Sequence, residues 1–146
     1  MAAAGRERPP IDWDSLTFSF TETDRMFVAN GSWEDGWSEG RMVDFQPLNL
    51  SPAACVLNYG QGLFEGMKAR RTPDGKITLF RPEMNARRAA EGARRLVMPE
   101  VSESMFIKAV KKVAEENKRW VPPHGKGELY LRPILFGSSA RLSLIH

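Results

Sequence analysis

The sequence predicts an α+β fold, a mostly antiparallel sheet with helices packed against it. Short β-rich runs stand in hairpin-like pairs and do not alternate one by one with helices. The stretch Thr72-Pro73-Asp74-Gly75 joins two of those runs with residues that suit a tight turn, since proline presets φ and glycine tolerates positive values. Two longer segments, 82–97 and 102–119, carry apolar residues at helical spacing and follow that hairpin together. A chain of 146 residues holds one domain with a modest core.

Taken in order, residues 1–10 are short and polar and read as a disordered tail. The scattered aromatics of "IDWDSLTFSF" (11–20) suit a segment docked on the core. Met26 to Ala29 and Arg41 to Phe45 are predicted strands around a loop rich in glycine and tryptophan. Ser51 as N-cap and Pro52 as first helical residue predict a short helix that Gly60 ends. Leu63 to Arg71 reads as one strand, and "KITLF" (76–80) as its hairpin partner. Pro82 opens the helix over 82–97, whose apolar side is Met84, Ala89, Ala93, Leu96 and Val97. Ser102 caps the helix over 102–119, with Phe106, Val110, Val113 and Trp120 at core spacing. "WVPPHGKGE" (120–128) is a loop and "LYLRPILFG" (129–137) a final apolar strand.

Composition closes off several classes of function. The net charge is +3, but acids are interspersed with the bases, so no nucleic-acid-binding patch is expected. Cys55 is the single cysteine, which excludes an intrachain disulfide and a cysteine-rich zinc site. Of the two histidines, His124 falls in a loop sequence and His146 is the last residue, which argues against serine–histidine or cysteine–histidine catalysis. No apolar run has the length of a membrane span and no signal-peptide core is present. A soluble, cytoplasmic protein is the expectation, or a plastid or mitochondrial one if Met1 is not the natural start.

Three groups of residues invite chemistry. The set Arg81, Arg87, Arg88, Arg94 and Arg95 reads first as a solvated basic face, with one of the group suited to anion recognition near a helix start. Tyr130 and Arg132 alternate onto one face of a strand, where they hold a carboxylate or simply end in solvent. Lys68 lies in a glycine-flanked strand, and a nucleophilic role would require its amine to be desolvated. Gly60, Gly62 and Gly66 crowd Tyr59 and Phe64, and glycine in a strand marks a bend or a close approach to the backbone, by another part of the fold or by a ligand.

The segments "YGQGLFEGMKA" (59–69), "ITLFRPEMNARR" (77–88), "RRLVMP" (94–99), "WVPP" (120–123) and "GELYLRPILFGS" (127–138) together resemble the branched-chain amino-acid aminotransferases, pyridoxal-phosphate enzymes of fold type IV, most of all their plant members. The resemblance implies that residues 11–138 are the small N-terminal domain of such an enzyme. It implies that Arg88 grips the phosphate of pyridoxal 5'-phosphate, and that Tyr59, Phe64, Tyr130 and Arg132 line the substrate pocket, partly across a dimer interface. The implied reaction exchanges the amino group between leucine, isoleucine or valine and 2-oxoglutarate. Transamination also needs a lysine that binds the cofactor and moves the α-proton, and an acid on the pyridine nitrogen. The family carries both in its second domain, and none of the seven lysines here falls in the family's lysine motif. Residues 139–146 depart from the family, as a frameshift, a retained intron or a shortened gene would make them do. The expectation is a chain that lacks the second domain and is inactive alone, with pairing to a full-length subunit as the alternative. A D-amino-acid aminotransferase or an aminodeoxychorismate lyase ranks lower, because "LYLRP" and "GLFEGMKA" favour the branched-chain members.

Overall fold

The computed structural model describes residues 10–15, 17 and 20–140. The tail assigned to 1–10 lies outside the described residues except for Pro10, and so does the divergent tail from 141 onward. Within them, nine strands and three α-helices occur, in four small antiparallel sheets.

The first predicted hairpin forms β1 (Arg25–Val28) with β4 (Arg41–Asp44), in the register Arg25 opposite Asp44. The loop between them is itself paired, through β2 (Gly31–Ser32) and β3 (Gly36–Trp37). Helix α1 (Cys55–Tyr59) starts later than predicted. Ser51 and Pro52 begin a turn instead: Ala54 N–H donates to Ser51 O (2.9 Å) and Ala53 N–H to Ser51 Oγ (3.2 Å). Ala54 then stays extended because it bridges Ala140. Gly60 ends the helix as expected, left-handed at φ 65°, with its N–H on Val56 O.

Each of the two long strands is broken in two. Residues 63–71 divide into β5 (Gly62–Phe64) and β6 (Met67–Arg71), and residues 129–137 into β8 (Leu129–Leu131) and β9 (Ile134–Phe136). β5 pairs with β9 and β6 with β8, in one register, so Glu65 and Gly66 face Pro133 and Arg132 across the gap. Pro133 has no N–H to give the ladder, and its carbonyl accepts from Glu65 N–H at 2.8 Å. β6 also pairs with β7 (Ile77–Leu79) through the predicted turn, where Thr72 N–H donates to Lys76 O at 2.9 Å and Gly75 takes φ 84°.

Helix α2 (Pro82–Arg95) stops two residues short of the expected end, and Val97 takes a positive φ. Its buried face is Ala86, Ala89 and Ala93; Met84 and Val97, assigned to the apolar side, are exposed. Small alanines suit close packing of α2 against the sheet and α3 (Glu103–Glu116), and Ala86 and Ala89 lie in the core cluster with residues of both. Ser102 caps α3 as predicted, accepting from Met105 N–H. The helix ends before residue 119, and Lys118–Trp120 turn as a 3-10 segment. Phe106, Val110 and Ala114 of α3 meet Met67, Ala69 and Leu131 of the sheet, with Ala86, Ala89 and Val121. Among the described residues no helix is long and apolar enough to cross a membrane.

Candidate functional site

The break in the paired strands brings the buried Glu65 together with polar side chains of α2. Glu65, in the gap between β5 and β6, is 4% exposed, so its carboxylate needs donors. It receives three: Arg88 Nε at 2.7 Å, Arg88 Nη2 at 2.6 Å and Asn85 Nδ2 at 2.8 Å. Asn85 and Arg88 lie three apart on α2, on one helix face, and Asn85 also donates to Gly66 O at 3.2 Å. Two parallel bonds from one guanidinium to one carboxylate give the most directional form of this ion pair.

The five arginines separate on this ground. Arg81, Arg87, Arg94 and Arg95 meet glutamates on the surface, and Arg88 meets a buried one. Arg88 itself is 69% exposed, so one edge of its guanidinium faces Glu65 and the other is open. Burial by itself would push the Glu65 carboxyl up, but the hydrogen bonds from Arg88 and Asn85, the Arg88 charge and the Gly66 backbone outweigh it and hold the group below its ordinary value. The Arg88 guanidinium is correspondingly pushed up by its bonds to Glu65.

A carboxyl depressed in the folded state stabilises above its unfolded pKa and loses that contribution as pH falls through the folded value. In urea titrations the stability gap between the native chain and Glu65→Gln is therefore expected to be constant from about pH 7 to pH 5 and to shrink below about pH 4.5. A gap as large at about pH 3 as at about pH 7 would show that Glu65 is not ionised in this pair.

Next to this pair, Phe64, Tyr130 and Arg132 form a second group. The Arg132 guanidinium lies 4.3 Å from the Phe64 ring centre and 5.0 Å from that of Tyr130, and its Nη2 donates to Tyr130 Oη at 2.9 Å. Tyr130 Oη reaches back over Gly66: a Cβ there would stand 2.2 Å from it. The glycine is thus required by a side chain of the fold itself, which settles the architectural half of the question that the glycines raise. Tyr59 is placed separately, on the last turn of α1, with its ring about half exposed.

Lys68 stands opposite Tyr130 in the sheet register, half exposed, with Nζ at 2.6 Å from Glu128, which also pairs with Arg70. Its environment is that of a surface ion pair and lacks the desolvation that a nucleophilic amine needs. His124 is exposed in its loop, with Nδ1 at 3.1 Å from Arg71 O. Glu65 and Asn85 were not singled out by the sequence. A lone acid between Phe64 and Gly66 inside an apolar strand is the available signal, because such a position is buried only when it is paired.

No protein-family model matches the chain. It is 52% identical over 128 residues to a methionine aminotransferase of Arabidopsis thaliana, covering 88% of this chain and 36% of that protein. It is 49% identical over 138 residues to the chloroplastic branched-chain-amino-acid aminotransferase 5 of the same plant, covering 94% of this chain and 33% of the relative. The chain thus spans about a third of the length of these relatives. Among solved structures it is similar to a branched-chain aminotransferase of Thermoproteus uzoniensis crystallised with norvaline, at TM-score 0.63 and 24% identity over 86% of this chain and 36% of that one. It is also similar to the pyridoxal-phosphate form of a branched-chain amino acid aminotransferase of Thermobaculum terrenum, at TM-score 0.56 and 18% identity over 78% of this chain and 33% of that one. These likenesses show the fold, an α+β arrangement shared with about a third of each of those two enzymes.

Proposed function

We propose that this chain, a homologue of the plant branched-chain aminotransferases over nearly its whole length, builds the substrate-facing and phosphate-contacting wall of such an enzyme. The observation that carries the reading is the strand break, which holds two groups: Phe64, Tyr130 and Arg132 in mutual contact, and the buried Glu65 paired with Arg88. The reaction is the exchange of an amino group between leucine, isoleucine or valine and 2-oxoglutarate.

Pyridoxal 5'-phosphate, when bound, supplies the electron sink for that exchange. Arg88 fits its phosphate, because the open edge of the guanidinium carries donors that Glu65 leaves free. Arg132, braced between two aromatic rings and bonded to Tyr130, fits a substrate carboxylate. Phe64 and Tyr59 present exposed rings suited to an apolar side chain. Residues 11–138 act as the small domain, and no lysine among these 146 residues takes the catalytic role, so the chain by itself turns over no substrate.

Exposed apolar side chains, among them Leu57, Phe64, Phe80, Val97, Tyr130 and Ile134, favour a second reading in the same terms: this surface is covered by another polypeptide, such as a full-length subunit. The test is a chimera in which residues 11–138 replace the matching third of the Arabidopsis branched-chain enzyme. The expected result is transamination of leucine, isoleucine or valine, with methionine run beside them as donor. A folded chimera that holds pyridoxal phosphate and transaminates none of them overturns the reading, and so does turnover by the 146-residue chain alone.

A further inference from the structure

We infer that Glu65 is a positioning residue for Arg88, holding the guanidinium so that its outer edge is presented to a phosphate group. This rests on the phosphate reading of Arg88 above and adds to it the group that makes that arginine a site and not a mobile surface side chain. A long side chain on an exposed helix face loses much rotamer freedom when it grips an anion. Here the freedom is already gone. Nε and Nη2 are each bonded to a Glu65 oxygen, and Asn85 fixes the carboxylate from a third side while bonding Gly66 O. The carboxylate cannot swing away, since Glu65 is buried and its backbone N–H is tied to Pro133 O. Of the five N–H bonds that a guanidinium carries, two point at Glu65 and the others are left for a ligand.

A counter-effect acts on the same atoms. The Glu65 charge offsets that of Arg88 and weakens its pull on an anion. The open edge of Arg88 is exposed to solvent, where water and salt screen that Coulomb loss. The gain from a fixed geometry is not screened. Ordering therefore outweighs charge offset, and removing Glu65 is expected to weaken phosphate binding although it removes a negative charge.

The experiment titrates the full chain with inorganic phosphate and follows the arginine Nε–H signals by NMR, in the native sequence and in Arg88→Ala, Glu65→Gln and Asn85→Ala. The expected result is loss of binding in Arg88→Ala, binding about threefold to tenfold weaker in Glu65→Gln, and faster solvent exchange of the Arg88 Nε–H in both Glu65→Gln and Asn85→Ala. A pH profile separates positioning from a merely structural role. Phosphate affinity of the native chain is expected to stay level from about pH 5.5 to pH 4.5 and to fall below that, while inorganic phosphate still keeps one charge, and that of Glu65→Gln to stay level throughout. Equal or tighter binding in a folded Glu65→Gln overturns the inference and leaves the phosphate reading standing. If Glu65→Gln does not fold, unchanged Arg88 Nε–H exchange in Asn85→Ala overturns it. No binding to the native chain, or equal binding in Arg88→Ala, overturns the phosphate reading and the inference with it.

Discussion

Asn117→Ala is expected to lower folding stability by about 3 kcal/mol. Asn117 is 1% exposed, just past the end of α3, and its amide uses every bonding position it has. Oδ1 accepts from the N–H of Asp24 and of Arg25, both at 3.0 Å; Nδ2 donates to Arg25 O and Val113 O, both at 2.9 Å. Val113 O keeps a second donor, Asn117 N–H, whereas the three backbone groups of Asp24 and Arg25 lose the partner on this side. A buried backbone group without a partner costs roughly 1–3 kcal/mol, and partial entry of water reduces the sum. Those groups open β1, so the side chain is what fastens the first hairpin to the helical layer. Arg119 reinforces the same junction with two bonds to Asp24, at 2.7 and 3.0 Å. For a urea slope near 1.5 kcal/mol per molar, the midpoint should fall by about 2 M. Asn117→Asp keeps both accepted N–H bonds and turns a carboxylate toward two carbonyls, so it too should destabilise. A midpoint shift below about 0.5 M in the alanine variant would show that water replaces the amide at little cost.

That junction was invisible in the sequence for a physical reason. Asp24 and Arg25, which Asn117 fastens to the helix end, are 93 and 92 residues away, and nothing local marks an asparagine near a helix end as a buried staple. Local signals were read well where the cause is local: the Ser102 cap, the turn at 72–75, and Gly60 as a left-handed stop all depend on a few adjacent residues. On α2 the predicted apolar side holds at Ala89 and Ala93 but not at the exposed Met84 and Val97, and it misses Ala86, because alanine is a weak hydrophobe in any pattern although close packing uses it. The two long strands were read whole although Pro133 stands inside one and Gly66 inside the other. Each is a breaker on its own, but only the register places both breaks at the same point.

The site shows the same division. Arg88, Tyr130, Arg132 and Phe64 follow from the resemblance of the segments, and the fold brings the last three into contact. Glu65 ties Arg88 to the strand break, and that is a tertiary fact: its donors come from a helix some 20 residues further along the chain.

Gly66→Ala is expected to damage the site while leaving the fold almost intact. A Cβ at residue 66 would lie 3.1 Å from Tyr130 Cζ, a tight contact, and 2.2 Å from its Oη, a distance that no real contact sustains. The Tyr130 ring is half exposed and can turn outward, so the stability cost should stay within about 1 kcal/mol. Turning outward breaks the 2.9 Å bond from Arg132 and removes one of the two rings beside its guanidinium. If Arg132 receives a substrate carboxylate, a displaced guanidinium forfeits a charge-assisted hydrogen bond, worth roughly 1.5–3 kcal/mol, or about tenfold to a hundredfold in kcat/KM. The chimera carrying residues 11–138 is the place to measure it, with Tyr130→Phe as the second arm of a cycle. Removing the hydroxyl deletes both the clash and the bond that the clash destroys. Gly66→Ala and Tyr130→Phe should therefore be far from additive, with the double variant close to Tyr130→Phe alone. Additive losses would mean that Gly66 serves the site by some route other than the space it leaves for Tyr130.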